Sequence, residues 1–163
     1  MQIYNQLLTA PVEVTTSASV ERVALSFDDR KRGRLKITTE SGASAGIQIE
    51  RGQVLRDGSW LQSDSGELLQ VMALEEAVTT ARVSDPTLFA RACYHLGNRH
   101  VPLQVGDGFL RYQEDYVLDD MLKGLGVEPQ HEQAIFEPEN GAYAPGTAHH
   151  HHHGDEAHGH HHH

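Results

Sequence analysis

Residues 93–104 read Cys93-Tyr94-His95-Leu96-Gly97-Asn98-Arg99-His100-Val101-Pro102-Leu103-Gln104, and this stretch joins two conformational states. Just upstream, Asp85 suits the N-cap of a helix and Pro86 its first turn. Leu88, Phe89, Ala92 and Leu96 then fall at i, i+1, i+4 and i+8, an apolar stripe of helical period. Gly97 is expected just past the helix C-terminus, with positive φ. His95 would then lie in the last turn. His100 would follow a tight Gly97-Asn98 corner, where an extended run begins. Outside the last fifteen residues the chain has three histidines, and two of them are in this stretch.

Working outward, two short strands are expected near Val101–Val105 and Phe109–Tyr112, joined at Gly106-Asp107-Gly108, a strong hairpin signal. Asp115 can cap a second helix with Val117, Leu118, Met121, Leu122 and Leu125 at helical spacing, ended by Gly124 or Gly126. A last strand runs from Val127 to Phe136. Upstream, Leu68 to Val83 is long and strand-like, with Ala77, Thr79, Ala81 and Val83 on one side of the alternation. The order β-α-β-β-α-β is the ferredoxin-like motif.

Residues 1–72 have a different texture. Val12 and Val14, then Val20, Val23, Leu25 and Phe27, mark short strands, and Leu35, Ile37 and Thr39 alternate. Glycines at 42, 46, 52, 58 and 66 punctuate the segment, as in a small sandwich or open barrel. The fold class read from this pattern is α+β. An all-β domain over 1–72, suited to binding a partner or peptide, precedes a ferredoxin-like domain over 73–143. A flexible His-rich tail occupies 144–163. The basic cluster Arg30-Lys31-Arg32-Gly33-Arg34 reads first as a solvated charged hairpin, with partner docking as the second reading.

The formal net charge of −10 argues against general nucleic-acid binding, which rests on neutralising phosphates, and favours cations or a basic partner. Met1 to Gln6 lack the basic and apolar regions of a signal peptide, and no run approaches the roughly 20 apolar residues of a membrane span. A cytoplasmic protein is therefore expected, with neither nucleic acid nor membrane as partner. The single cysteine, Cys93, excludes an intramolecular disulfide framework and is expected in the core.

The tail carries ten histidines: His149, His150, His151, His152, His153, His158, His160, His161, His162 and His163. Neutral imidazole suits nickel, copper and zinc, and Asp155 and Glu156 add oxygen ligands. A purification tag is normally one uninterrupted run, whereas these histidines fall in blocks of five, one and four. The tail is read as a high-capacity metal binder. His95 and His100 are candidate ligands of a fixed site, against the plain reading of a helix-end histidine that serves the terminal carbonyls.

Enzyme chemistry finds no support. His95 and His100 are not an i, i+4 pair with an intervening Glu, and no third fixed ligand completes a catalytic zinc site. No phosphate-binding glycine loop or nucleophile elbow is present.

The block Tyr94-His95-Leu96-Gly97-Asn98-Arg99-His100 resembles the urease accessory nickel metallochaperone family (UreE). Arg32-Gly33-Arg34, Leu118-Asp119-Asp120-Met121-Leu122 with Leu125-Gly126, Phe136-Glu137-Pro138-Glu139 with Gly141-Ala142-Tyr143, and the His-rich tail carry the likeness along nearly the whole chain. The resemblance implies a homodimer formed through the ferredoxin-like domain, with His100 binding metal across the dimer axis. It also implies urease apoprotein and its GTPase accessory protein as partners. Some members carry a histidine pair before the second helix as a peripheral site. Here that stretch is Gln113-Glu114-Asp115-Tyr116, and no such site is expected. One His100 per chain becomes two at a two-fold axis. Two imidazoles leave coordination positions open, as delivery requires. The function read here is a metallochaperone carrying Ni2+ to urease, with Zn2+ or Cu2+ able to substitute in vitro. The alternative is a metal store acting through the tail.

Overall fold

The computed structural model describes residues 1–9, 12–14 and 19–141. The elements, in chain order, are β1 (Gln2–Leu8), β2 (Val20–Leu25), α1 (Phe27–Arg30), β3 (Arg34–Thr38), β4 (Ser44–Gln48), β5 (Trp60–Ser63) and β6 (Leu68–Ala73), followed by β7 (Glu75–Arg82), α2 (Pro86–Gly97), β8 (Gln104–Val105), β9 (Phe109–Gln113), α3 (Tyr116–Gly124) and β10 (Gln130–Ile135). The chain is mixed α+β and mostly strand. Its strands form two sheets, ordered β2-β6-β5-β1-β4-β3 and β10-β7-β9-β8. Leu74 stands between the last strand of the first sheet and the first strand of the second.

In the first sheet β1 pairs parallel with β4 and β2 with β6, and the other ladders are antiparallel. Tyr4, Val23, Leu25, Ile37, Ile47, Leu55, Leu61, Leu69 and Val71 close its core. The second sheet is antiparallel throughout. Helices α2 and α3 lay Ala92, Leu96, Leu118 and Leu122 onto Ala81, Leu110 and Tyr112 in a second core.

Three expectations for the first unit need correction. β1 replaces the strand expected at Val12 and Val14. Those two residues are not in a strand, and Val14 is exposed. β1 hides because Gln2, Asn5 and Gln6 dilute its apolar period, and its ladder with β5 shifts register between Tyr4 and Gln6. The long strand expected from Leu68 to Val83 is two strands belonging to different sheets.

The third correction concerns the basic cluster. In place of a charged hairpin, Ser26 caps the single-turn helix α1 by accepting from the Asp29 amide at 3.3 Å. The first arginine is not solvated. Arg30 is fully buried and donates to the carbonyls of Leu25 (3.2 Å), Leu55 (3.1 Å) and Phe136 (2.5 Å), and to the Glu137 carboxylate. Five guanidinium N–H groups in a fixed fork suit such a multiply bonded position, which a lysine could not fill. Phe27 packs edge-on against Phe136 with ring centroids 5.3 Å apart, and Val78 completes this small third core between the sheets. Arg56 adds a bond to the Pro138 carbonyl at 2.7 Å and one to the Asn140 side chain. The segment after β10 is thus held by the first unit.

Candidate functional site

α2 begins as its sequence requires, with the Asp85 side chain accepting from the Thr87 amide at 3.1 Å and Pro86 in the first turn. Ala92 and Leu96 face the core, which leaves Tyr94 and His95 exposed on the outer side. Their rings meet edge-to-face, with centroids 5.3 Å apart. The chain leaves the helix by a series of tight turns. The Asn98 amide donates to Tyr94 O (3.1 Å), Arg99 to Leu96 O (3.1 Å) and His100 to Gly97 O (3.1 Å).

The left-handed residue expected at Gly97 is found at His100 instead. Gly97 is the last helical residue, and His100 has φ 55°, the only positive φ at a non-glycine position among the described residues. An L-residue held there costs about 1 kcal/mol, although histidine tolerates this region better than most side chains. His100 is exposed. Beyond it the backbone is tied down: Leu103 O accepts from the Glu139 amide at 2.8 Å, and the Gln104 side chain accepts from the Glu137 amide at 3.0 Å. The candidate ligand is an exposed imidazole on a strained corner between two anchored elements. Strain at a surface position points to a role other than packing.

Among the described residues, no group of three histidine, cysteine or carboxylate side chains is placed to hold a metal ion. Among those residues, His95 and His100 therefore have no third fixed partner. The ten tail histidines lie outside the described residues. Cys93 is half-buried against the second core, and burial pushes its thiol above the ordinary value, so it is not a ready thiolate ligand.

Sequence reasoning passed over the third histidine. In the ladders of β7, Thr79 stands opposite both Tyr112 and His131, so these three share the sheet face that packs on α3. Asp119 of α3 lies beneath that row, accepting from the Tyr112 hydroxyl at 2.5 Å and contacting His131 Nε2 at 2.6 Å. The other ring nitrogen, Nδ1, is 3.1 Å from the Glu114 carboxylate. Burial alone would raise Asp119, but its bonds from Tyr112 and His131 more than offset this and hold it below the ordinary carboxylate range. The bond to Asp119 likewise raises His131. Thr79 lies close enough to favour the charged Asp119, although its buried hydroxyl makes no hydrogen bond of good geometry. One signal was available: Asp119 sits between Leu118 and the following apolar positions on the buried side of α3, where a carboxylate needs a partner.

Comparison with known proteins fits this architecture. The model of the UreE urease accessory protein N-terminal domain matches residues 5–74, and that of the C-terminal domain matches residues 76–163. A urease accessory protein UreE of Alkalilimnicola ehrlichii is 54% identical over 121 residues, covering 74% of each chain. One from Pseudomonas putida strain W619 is 56% identical over 122 residues, covering 74% of this chain and 76% of the relative. One from Shewanella halifaxensis is 52% identical over 122 residues, covering 75% and 71%. The chain belongs to the UreE family of urease accessory proteins, chaperones of urease maturation that are not themselves enzymes.

Proposed function

We propose that this protein is a cytoplasmic metallochaperone that binds Ni2+ and delivers it to the urease apoprotein. The observation that carries the reading is His100: an exposed imidazole on a left-handed corner, where the described residues form no three-ligand group to enclose an ion. A structural metal site closes its coordination sphere, whereas a delivery site keeps positions open. Nickel is cargo here, and imidazole donors suit it.

The metal would sit at the two-fold axis of a homodimer built through the second unit, with one His100 from each chain. The element order β-α-β-β-α-β and the sheet order β10-β7-β9-β8 support a ferredoxin-like reading of that unit. Tyr94, exposed beside His95, offers apolar surface near the same axis. The first unit is the docking module for partners, the GTPase accessory protein among them. His149 to His153, His158 and His160 to His163 would load and store metal and complete the open positions at His100, with His95 secondary. Among the described residues no helix is long and apolar enough to cross a membrane.

The test is equilibrium metal binding on the full-length protein and on a chain lacking 149–163, with sedimentation and urease activation measured alongside. The expected result is one tight Ni2+ per dimer that survives removal of the tail, a large loss of capacity, and residual activation. Loss of all tight binding with the tail would leave a metal store in place of a carrier.

A further inference from the structure

His131 is half-exposed and stands between two carboxylates, with Nε2 2.6 Å from Asp119 and Nδ1 3.1 Å from Glu114. A neutral imidazole has one N–H. With both carboxylates ionised, a neutral ring would set a lone pair against an oxygen on one of its two sides. Only the imidazolium donates to both.

The surroundings favour the cation. From α3 come Asp119 and Lys123; Lys123 opposes the charge on His131 but is outweighed by Asp119. Glu114 and Asp115 come from the loop before α3. β9 contributes Tyr112, which donates to Asp119 and keeps its second oxygen free for His131. β7 contributes uncharged Thr79 opposite His131. The charged trio Arg82, Arg111 and Glu132 pairs internally, with Arg111 3.1 Å and Arg82 3.9 Å from the Glu132 carboxylate. Alternation along β10 places Glu132 on the opposite sheet face from His131.

We propose that His131 is a proton-operated tie: protonated, it bridges β10 to both Asp119 and Glu114; neutral, it keeps Asp119 and releases Glu114. The asymmetry follows from burial. Asp119 is 6% exposed, and losing His131 would leave its second oxygen buried without a donor, Tyr112 serving only the first, while Glu114 turns readily to water. Glu114 directly precedes Asp115, the cap of α3, and lines a cleft with Val101, Pro102 and Gln113. Val101 follows His100. Releasing Glu114 therefore loosens the wall of a cleft beside the candidate metal-binding corner as pH rises. The tie does not depend on the metal reading above and is tested on metal-free protein.

The experiment is an NMR titration of the full-length metal-free chain, with the His131 ring signals assigned through His131→Gln. A titration midpoint above 6.5 is expected, with both ring nitrogens protonated below it and the amides of Glu114 and Asp115 shifting with the same midpoint. Glu114→Gln should lower that midpoint, and Asp119→Asn should lower it too. Because Asp119 is buried and its variant is at risk of unfolding, Glu114→Gln on the exposed side decides. A midpoint at or below 6.5, a midpoint indifferent to Glu114→Gln, or Glu114 and Asp115 amides that do not follow His131 would each overturn the proposal.

Discussion

Arg30 and Phe136 are joined across the two units of the chain: a fully buried guanidinium on α1 donates to the carbonyl of the residue just after β10, at 2.5 Å. The same side chain holds Glu137 and the carbonyls of Leu25 and Leu55. The segment after β10 is therefore a strap carried by the first unit. Through Glu139 and Leu103 it also reaches the segment that follows His100.

Removing this fork should be among the most damaging single changes in the protein. Arg30→Ala strands three buried carbonyls and a half-buried carboxylate. Breaking a buried pair by removing one partner typically costs about 3–5 kcal/mol. Urea denaturation is expected to show the unfolding free energy falling by that amount, read as a lower midpoint at unchanged slope. Arg30→Lys should recover only part, because one ammonium cannot reproduce the fork. Arg30→Ala with unchanged stability would mean that the junction is held by the Phe27–Phe136 contact and the Arg56 bonds without the fork.

The left-handed His100 gives a test that separates fold from function. His100→Gly removes the imidazole and relieves the backbone conformation. The relief, about 1 kcal/mol, is set against the larger unfolded-state entropy of glycine. The expected stability change runs from nothing to a gain of about 1 kcal/mol. His100→Ala should cost up to about 1 kcal/mol, because alanine tolerates the left-handed region less well than histidine. Both variants should lose the tightest Ni2+ in a dialysis assay while total capacity falls only slightly. His95→Ala should affect tight binding less. Equal effects at His95 and His100 would assign the corner to scaffold.

The sequence made the second unit legible because its signals are local. Asp85-Pro86, Asp115 and Gly106-Asp107-Gly108 are caps and a turn, and the helical stripes are uninterrupted. β1 was missed because polar residues and a register shift erase its period. Arg30 was misread because a charged run looks solvated until the long-range partners, Phe136 and Glu137, are known. The same limit hid His131. Its ties to Asp119 and Glu114 come from separate elements, and nothing in the spacing joins them. His100 was found by the block around it. Its φ was assigned to Gly97 because glycine is the usual left-handed residue, and the three turns after α2 displaced that conformation by three positions.

Metal loading should follow the protonation of imidazole. A histidine must be neutral to bind, and its unperturbed pKa is about 6.5. Loading of the full-length chain is expected to fall steeply between about pH 7 and 5.5, with protons released on binding. Calorimetry in buffers of different ionisation enthalpy counts those protons. Loading unchanged at about pH 5 would assign the capacity to carboxylates such as Asp155 and Glu156.

Tyr112→Phe isolates the buried end of the Asp119 network. The variant keeps the ring in the core and removes the hydroxyl that donates to Asp119. Leaving a buried acceptor short of one donor costs about 1–3 kcal/mol near neutral pH. The pH dependence has a definite sign. Asp119 is held below its ordinary value in the folded state, so its contribution is full above the unfolded value and is lost as pH falls through the folded one. In Tyr112→Phe the folded value should move back up, since one of the bonds that lowered it is gone. Denaturant unfolding of both proteins across the acid range should therefore show the variant's deficit shrinking as pH falls, because both lose the charged Asp119 there. A deficit that stays constant with pH would mean that the hydroxyl acts through packing alone and that His131 by itself sets the charge on Asp119.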